Sequence, residues 1–231
     1  MDRTRVAAAW AQRLRVPAED FAGDAVTVRE REGLDSVVVV ALGEAWVAVC
    51  PPGLAQELRV LEPAVLVDAD ALASALAEVG CEPIGTADLW FNGSWNQTAT
   101  APTLQQPTHP ATAAELDELR AACSEDDWTE SGLESMPELW VAVDDDGRAA
   151  AAAGYADWGD LAHLGVLAAP ASRGRGFADA AAARVVAEAI ASGRLAQWRC
   201  RAGNAASARL ARRLGFTRAG VQVAVRVFAT D

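Results

Sequence analysis

The sequence contains no lysine; all 20 of its basic residues are arginine. That absence excludes Schiff-base chemistry and a phosphate loop of the NTPase type, whose lysine reaches the nucleotide phosphates. Histidine is nearly as scarce, with only His109 and His163, and Tyr155 is the single tyrosine. The four cysteines, Cys50, Cys81, Cys123 and Cys200, are scattered without paired metal-ligand spacing, so reduced thiols are the default and no metal is expected. No run reaches the ~18 apolar residues of a membrane span, and the charged, amphipathic start lacks the apolar core of a leader. A soluble, cytoplasmic protein without a membrane partner is the expectation. Abundant Ala, Arg and Gly without Lys further suggests a GC-rich bacterial genome.

A chain of 231 residues, 52% of them hydrophobic, can bury a core and suits two modest domains. Its net charge of −12 argues against nucleic acid and anionic membranes, both of which need basic surfaces. The charge is uneven. Residues 1–172 hold 29 acids against 9 arginines, whereas residues 173–231 hold 3 acids against 11 arginines. The basic part begins at Arg173-Gly174-Arg175-Gly176-Phe177-Ala178, between the apolar run 161–167 and an alanine-rich helical pattern over 179–192. A glycine turn between strand and helix offers unpaired N–H groups and the positive end of the helix dipole, which is an anion site. A glycine-softened helix start is the competing reading of the same residues.

Along the chain, Thr4 to Arg15 reads as a helix with Val6, Trp10 and Leu14 on one face. Strands are expected over 26–31, 36–42 and 46–50, the second a valine run buried on both faces. Helices are expected over 54–61 and 69–79, and a short strand over 87–91. The aromatic cluster Trp90, Phe91 and Trp95 is read as core or interdomain packing, with a substrate-binding wall as the alternative. Residues 92–110 are rich in Asn, Gln, Thr and Pro and read as a linker, with a domain boundary near residue 107. Beyond it come a helix (111–123) and an acidic stretch holding Glu125, Asp126, Asp127, Glu130, Glu134 and Glu138. A hairpin turning at Asp146-Gly147 (139–156) and a strand (161–168) follow. The glycine turn, a helix stopped by Gly193, a strand (195–200), a helix closed by Gly215 and one or two last strands complete an α/β (α+β) mixed sheet.

Pro170-x-x-Arg173-Gly174-x-Gly176-x-Ala178, followed by Asn204-x-x-Ser207 and Leu214-Gly215-Phe216, resembles the GNAT superfamily of acyl-CoA-dependent N-acyltransferases. The resemblance covers roughly residues 108–231. It leaves residues 1–107 as a smaller α/β domain, either a degenerate GNAT-like half or an add-on. It implies acetyl-CoA as co-substrate and direct transfer of the acyl group to a primary amine of a small molecule or peptide. It also implies that Arg173, Gly174, Arg175, Gly176, Phe177 and Ala178 cradle the pyrophosphate, that Val166, Leu167 and Ala168 pair with the pantetheine amides, and that Asn204 and Ser207 meet the pantetheine arm. A homodimer is the commonest assembly for such a chain.

Attack by a neutral amine on a thioester needs a base, a donor for the oxyanion and an acid for the leaving thiolate. The family's acid is often a tyrosine near the middle of the second helix, where this chain has Ala211, so Tyr155 on another strand is the available substitute. His163 is the attractive base, although the family pattern points to Leu164 or Ala162. It stands one position out of register, on the opposite strand face unless a bulge intervenes. Asp157, Glu130, Glu134 and water share that role. Glu130 and Glu134, in the acidic stretch, are candidate contacts for a cationic acceptor; a solvated helix face explains them equally. A catalytically weak acyl-CoA-binding sensor or interaction module is the second functional reading.

Overall fold

The computed structural model describes residues 3–92 and 106–228. Packing divides the chain into two compact units, neither continuous in sequence. The N-terminal unit comprises Arg3–Trp90, Arg199–Asn204 and the described residues from Arg218 onward; the loop unit comprises the described residues of Phe91–Trp198 together with Ala205–Thr217. Trp95 and most of the expected linker lie outside the described residues. Trp90 and Phe91 are buried, as packing residues should be.

In the N-terminal unit, α1 (Arg3–Leu14) buries Val6, Trp10 and Leu14 on one stripe. It ends with Arg15 in the left-handed region (φ 56°), where the Val16 amide reaches back to the Ala11 carbonyl and Pro17 forbids continuation. Strands β1 (Val26–Glu30), β2 (Ser36–Leu42) and β3 (Ala45–Cys50) follow as expected. The helix expected over 54–61 is shorter, α2 (Ala55–Arg59). A further one, α3 (Pro63–Leu66), begins on proline, whose fixed φ and missing N–H suit a first turn. Helix α4 (Ala69–Ala75) is capped by Asp68, which accepts from the Ala71 amide at 2.8 Å. Strand β4 (Cys81–Asn92) is far longer than expected, because its largely exposed first half, with Pro83 and Gly85, lacks an apolar pattern. The sheet order is β1-β3-β2-β10-β4, where β10 (Phe216–Val227) is a single strand antiparallel to β2. Leu58, Leu66 and Leu72 fill the core against Val37, Val39, Val223 and Val225.

In the loop unit, part of the expected linker is a strand, β5 (Thr108–Pro110), which pairs with β6 (Leu139–Val143). Helix α5 (Ala113–Ala122) starts in a capping box. The Thr112 hydroxyl accepts from the Glu115 amide, and the Glu115 carboxylate accepts from the Thr112 amide and faces His109 Nε2 at 2.7 Å. These bonds hold the Glu115 carboxyl down from its ordinary 4.5 to about 2, Thr112 contributing most and His109 less. Helix α6 (Glu125–Ser131) is capped by Ser124 and stopped by Gly132. The order β9-β8-β7-β6-β5 joins β7 (Ala149–Trp158), β8 (Leu161–Ala168) and β9 (Leu195–Arg201), with β8 and β9 parallel. Helices α7 (Phe177–Ala191) and α8 (Ala205–Arg213) complete the unit.

Candidate functional site

Strand β8 pairs with β7 over its whole length, without a shift of register, but with β9 only from Leu161↔Leu195 to Leu164↔Trp198. Beyond that rung Gly165, Val166, Leu167 and Ala168 have no register partners on β9, so the parallel pairing ends at Trp198, the last β9 residue of this unit. Backbone N–H and C=O groups beyond the last rung of a ladder must be satisfied by something other than that ladder. The chain then makes a 3-10 turn (Pro170–Ser172) and reaches Gly174 (φ 76°) and Gly176 (φ 89°), the second of which is the N-cap of α7. A Cβ at either glycine would meet no atom within 4 Å. It is therefore the left-handed backbone that selects glycine here, and the space outside is open. The first bond into α7 runs from the Ala180 amide to the Gly176 carbonyl, so the amides of Phe177, Ala178 and Asp179 precede the helical ladder, as an anion cradle requires.

The arginines of this turn have protein partners. Arg173 donates from Nη2 to Asp127 Oδ2 at 2.9 Å and from Nε to the Ala168 carbonyl at 3.4 Å, tying the end of β8 to α6. The Asp127 carboxyl is lowered chiefly by Arg173 and then by Ser124. Arg175 lies over the Phe177 ring and 3.5 Å from Asp145. Asp179, in the first turn of α7, would repel an anion, but it accepts two bonds from Arg213 of α8, at 2.6 and 2.9 Å. The same end of α8 is anchored where Asn92 Nδ2 donates to the Leu214 carbonyl at 2.7 Å. The Ser207 hydroxyl accepts from Trp198 Nε1 at 2.9 Å, on the last paired rung of β9. Asn204 lies in the turn before α8, with its amide bonded to the Arg201 carbonyl, and is grouped with the N-terminal unit.

Alternation along the strands sorts the remaining candidates onto two faces. A Cβ on Gly165 would fall 2.3 Å from the Ser131 carbonyl and one on Gly154 would fall 2.6 Å from the Glu138 carbonyl, so this face packs directly against α6 and the turn after it. By alternation His163 belongs to that face, and the unbroken register rules out a bulge that would move it. Its ring stacks on Trp158 (centroids 4.1 Å apart, planes at 21°), and Nδ1 is 3.2 Å from Nε2 of the fully buried Gln197. Tyr155 is on the other face, opposite Leu164. It lines a cavity of about 200 Å³ with Pro137, Glu138, Trp140, Asp157, Val185 and Glu188. Tyr155 and His163 therefore point to opposite faces of the sheet. Asp157 is engaged by Arg194.

The acidic stretch is partly neutralised. Arg120 bonds Glu125 at 3.1 Å and lies 3.7 Å from Glu134, and Asp127 holds Arg173. Glu130 is exposed on α6. Cys123, whose Sγ faces the Ala168 carbonyl at 3.8 Å, has its thiol raised mainly by burial, which makes it a poor nucleophile. Among the described residues no group of three or more His, Cys, Asp or Glu could hold a metal ion, and no helix is long and apolar enough to cross a membrane.

The sequence reading missed Gly154, Gly165, Asp127 and Gln197. A glycine inside a strand is itself a sign of close backbone approach, and a glutamine in the apolar run Leu195 to Trp198 is a sign of a buried polar partner. Asp127 gave no such sign, standing among five similar acids.

The family model of the acetyltransferase (GNAT) domain matches residues 82–217. No curated protein matches the chain. Among solved structures, a GCN5-related N-acetyltransferase from Kribbella flavida is similar with 18% identity and a TM-score of 0.52, over 98% of this chain and 96% of that one. A GNAT-family acetyltransferase from Novosphingobium aromaticivorans is similar with 23% identity and a TM-score of 0.50, over 65% of this chain and 69% of that one. At these identities the likenesses speak to fold.

Proposed function

We propose, for a chain that belongs to the GNAT acetyltransferase family, that the loop unit transfers an acetyl group from acetyl-CoA to a primary amine of a small molecule or peptide. The observation that carries this reading is the end of the β8–β9 pairing at Leu164↔Trp198, upstream of the glycine turn that caps α7. The edge at Val166, Leu167 and Ala168, beyond that rung, suits the amides of a pantetheine arm. The turn suits a pyrophosphate through the backbone of Arg173 to Ala178, since the Arg173 guanidinium is already engaged by Asp127. Ser207, of the same unit, is assigned to the arm.

In the reaction the amine lone pair attacks the thioester carbon and the carbonyl electrons move to oxygen. They return as the C–S bond breaks, and the sulfur leaves with its electron pair as thiolate. The attacking nitrogen loses one proton to solvent or a carboxylate, and the thiolate gains one. Glu130 and Glu134 favour a cationic acceptor.

The test is titration with acetyl-CoA and release of free thiol in the presence of polyamines, aminoglycosides and peptides. Turnover with at least one amine is expected. Gly176→Glu, which forces a side chain into φ 89° and adds a negative charge, is expected to weaken donor binding beyond detection; unchanged affinity would remove the turn from the site. A binding module without turnover is the second reading, favoured by fully buried Ala211 in α8 and by Tyr155 on the face away from His163. Tight donor binding with no turnover across the panel selects it.

A further inference from the structure

Residues 173–231 hold only three acids, and one of them stands where an anion is least welcome. Asp179 is the third residue of α7 after the Gly176 N-cap, at the helix end to which the donor's pyrophosphate is assigned. Side chains on a helix lean toward its N-terminus. A carboxylate at this position therefore reaches back toward the amides that precede the ladder, as the acid of a capping box does. It competes with any other anion for the same end of the helix. Here both of its oxygens are taken by α8: Arg213 Nε donates to Oδ1 at 2.6 Å and Nη2 donates to Oδ2 at 2.9 Å. The planar fork fixes the orientation of the carboxylate as well as offsetting its charge. Arg173 cannot stand in for Arg213, because Asp127 already engages it.

We propose that Arg213 is a positioning residue for the donor: by engaging both oxygens of Asp179 it keeps the N-terminus of α7 open to the pyrophosphate. The proposal rests on the reading of the glycine turn as the pyrophosphate site. Arg213 then acts on donor affinity through Asp179 and not through a contact of its own with the donor. The pair does little for folding, since the two side chains are 57% and 31% exposed and surface ion pairs add little to stability. Its effect belongs to binding.

Titration with acetyl-CoA, with the urea midpoint read beside it, tests this. Arg213→Gln should weaken donor binding about tenfold, the scale of an uncompensated charge at a helix N-terminus. Removing the acid as well should undo that loss, so Asp179→Asn/Arg213→Gln should bind about fivefold more tightly than Arg213→Gln, or better. Equal affinities in these two variants would mean that Arg213 touches the donor itself or merely braces α7 against α8, and would overturn the proposal. Wild-type affinity in Arg213→Gln would overturn it too. Should Arg213→Gln not fold, Asp179→Asn decides alone: it should tighten donor binding, and equal or weaker binding would overturn the proposal. A wild-type protein that binds no acetyl-CoA would overturn the pyrophosphate reading of the turn and this proposal with it, whereas wild-type binding without rescue sinks the proposal alone.

Discussion

Strand β2 of the N-terminal unit and strand β7 of the loop unit are both largely buried, yet one reads Ser-Val-Val-Val-Val-Ala-Leu and the other begins Ala-Ala-Ala-Ala-Ala-Gly. The difference sets the kind of packing each unit has. Valines stand off their neighbours and leave room for leucines, so the N-terminal unit is filled by Leu58, Leu66 and Leu72. Alanine and glycine let backbone approach backbone. Around β7 and β8 a bare hydrogen on Gly154 or Gly165 is all that separates the sheet from carbonyl oxygens of the segment 131–138. The first unit should be vulnerable to removed volume, the second to added volume.

The largest effect expected from this contrast is that of Leu72→Ala, a fully buried side chain whose loss leaves a cavity. A destabilisation of about 2–5 kcal/mol is expected, read as a lowered urea midpoint; a loss well under 1 kcal/mol would mean that the leucine core collapses easily and the contrast is overstated. Next is Gly165→Ala, which adds one methyl group 2.3 Å from the Ser131 carbonyl and 2.4 Å from the Met136 methyl. About 1–3 kcal/mol of destabilisation is expected, with weaker donor binding because α6 also carries Asp127, the partner of Arg173. A stabilised Gly165→Ala protein would break the comparison.

The smallest effect separates two helix starts, α4 with its lone Asp68 cap and α5 with its reciprocal box. Because the folded-state Glu115 carboxyl is depressed to about 2 from 4.5, its contribution is fully present above pH 4.5 and is lost as pH falls toward 2. Glu115→Gln should cost about 0.3–1.5 kcal/mol at neutral pH, and the gap to wild type should close across that acid window. A gap that stays constant down to pH 2 would show that the charge of Glu115 plays no part.

What the sequence made legible follows the same division. The valine run, the Asp-Gly hairpin and the helix stopped by Gly193 were readable because periodicity and turn chemistry are local. The glycine turn was readable because positive φ leaves glycine few substitutes. Strand β4 was not, since Pro83 and Gly85 hide a strand whose first half is exposed, and neither was β5, which looks like linker until β6 pairs with it. At the site, the register of His163 was legible but its partner was not. Placing Gln197 beside it requires knowing that β8 and β9 are aligned with 163 opposite 197, a long-range fact that no local pattern contains. Tyr155 differs from His163 in parity, because it sits across from Leu164 and lines a cavity with Val185 and Glu188 of α7.

The pairing of β10 with β2, which joins residues as distant as Arg226 and Ser36, has a consequence for the birth of the protein. On a ribosome adding about 5–20 residues per second, β2 waits on the order of ten seconds or more for the strand that will cover its edge. Until then Val37 to Ala41 form an unpaired apolar edge of the sort that templates association between nascent chains. A stop codon placed anywhere before β10 would leave that edge permanently open, so truncation should convert a foldable chain into one retained by chaperones or lost to aggregates.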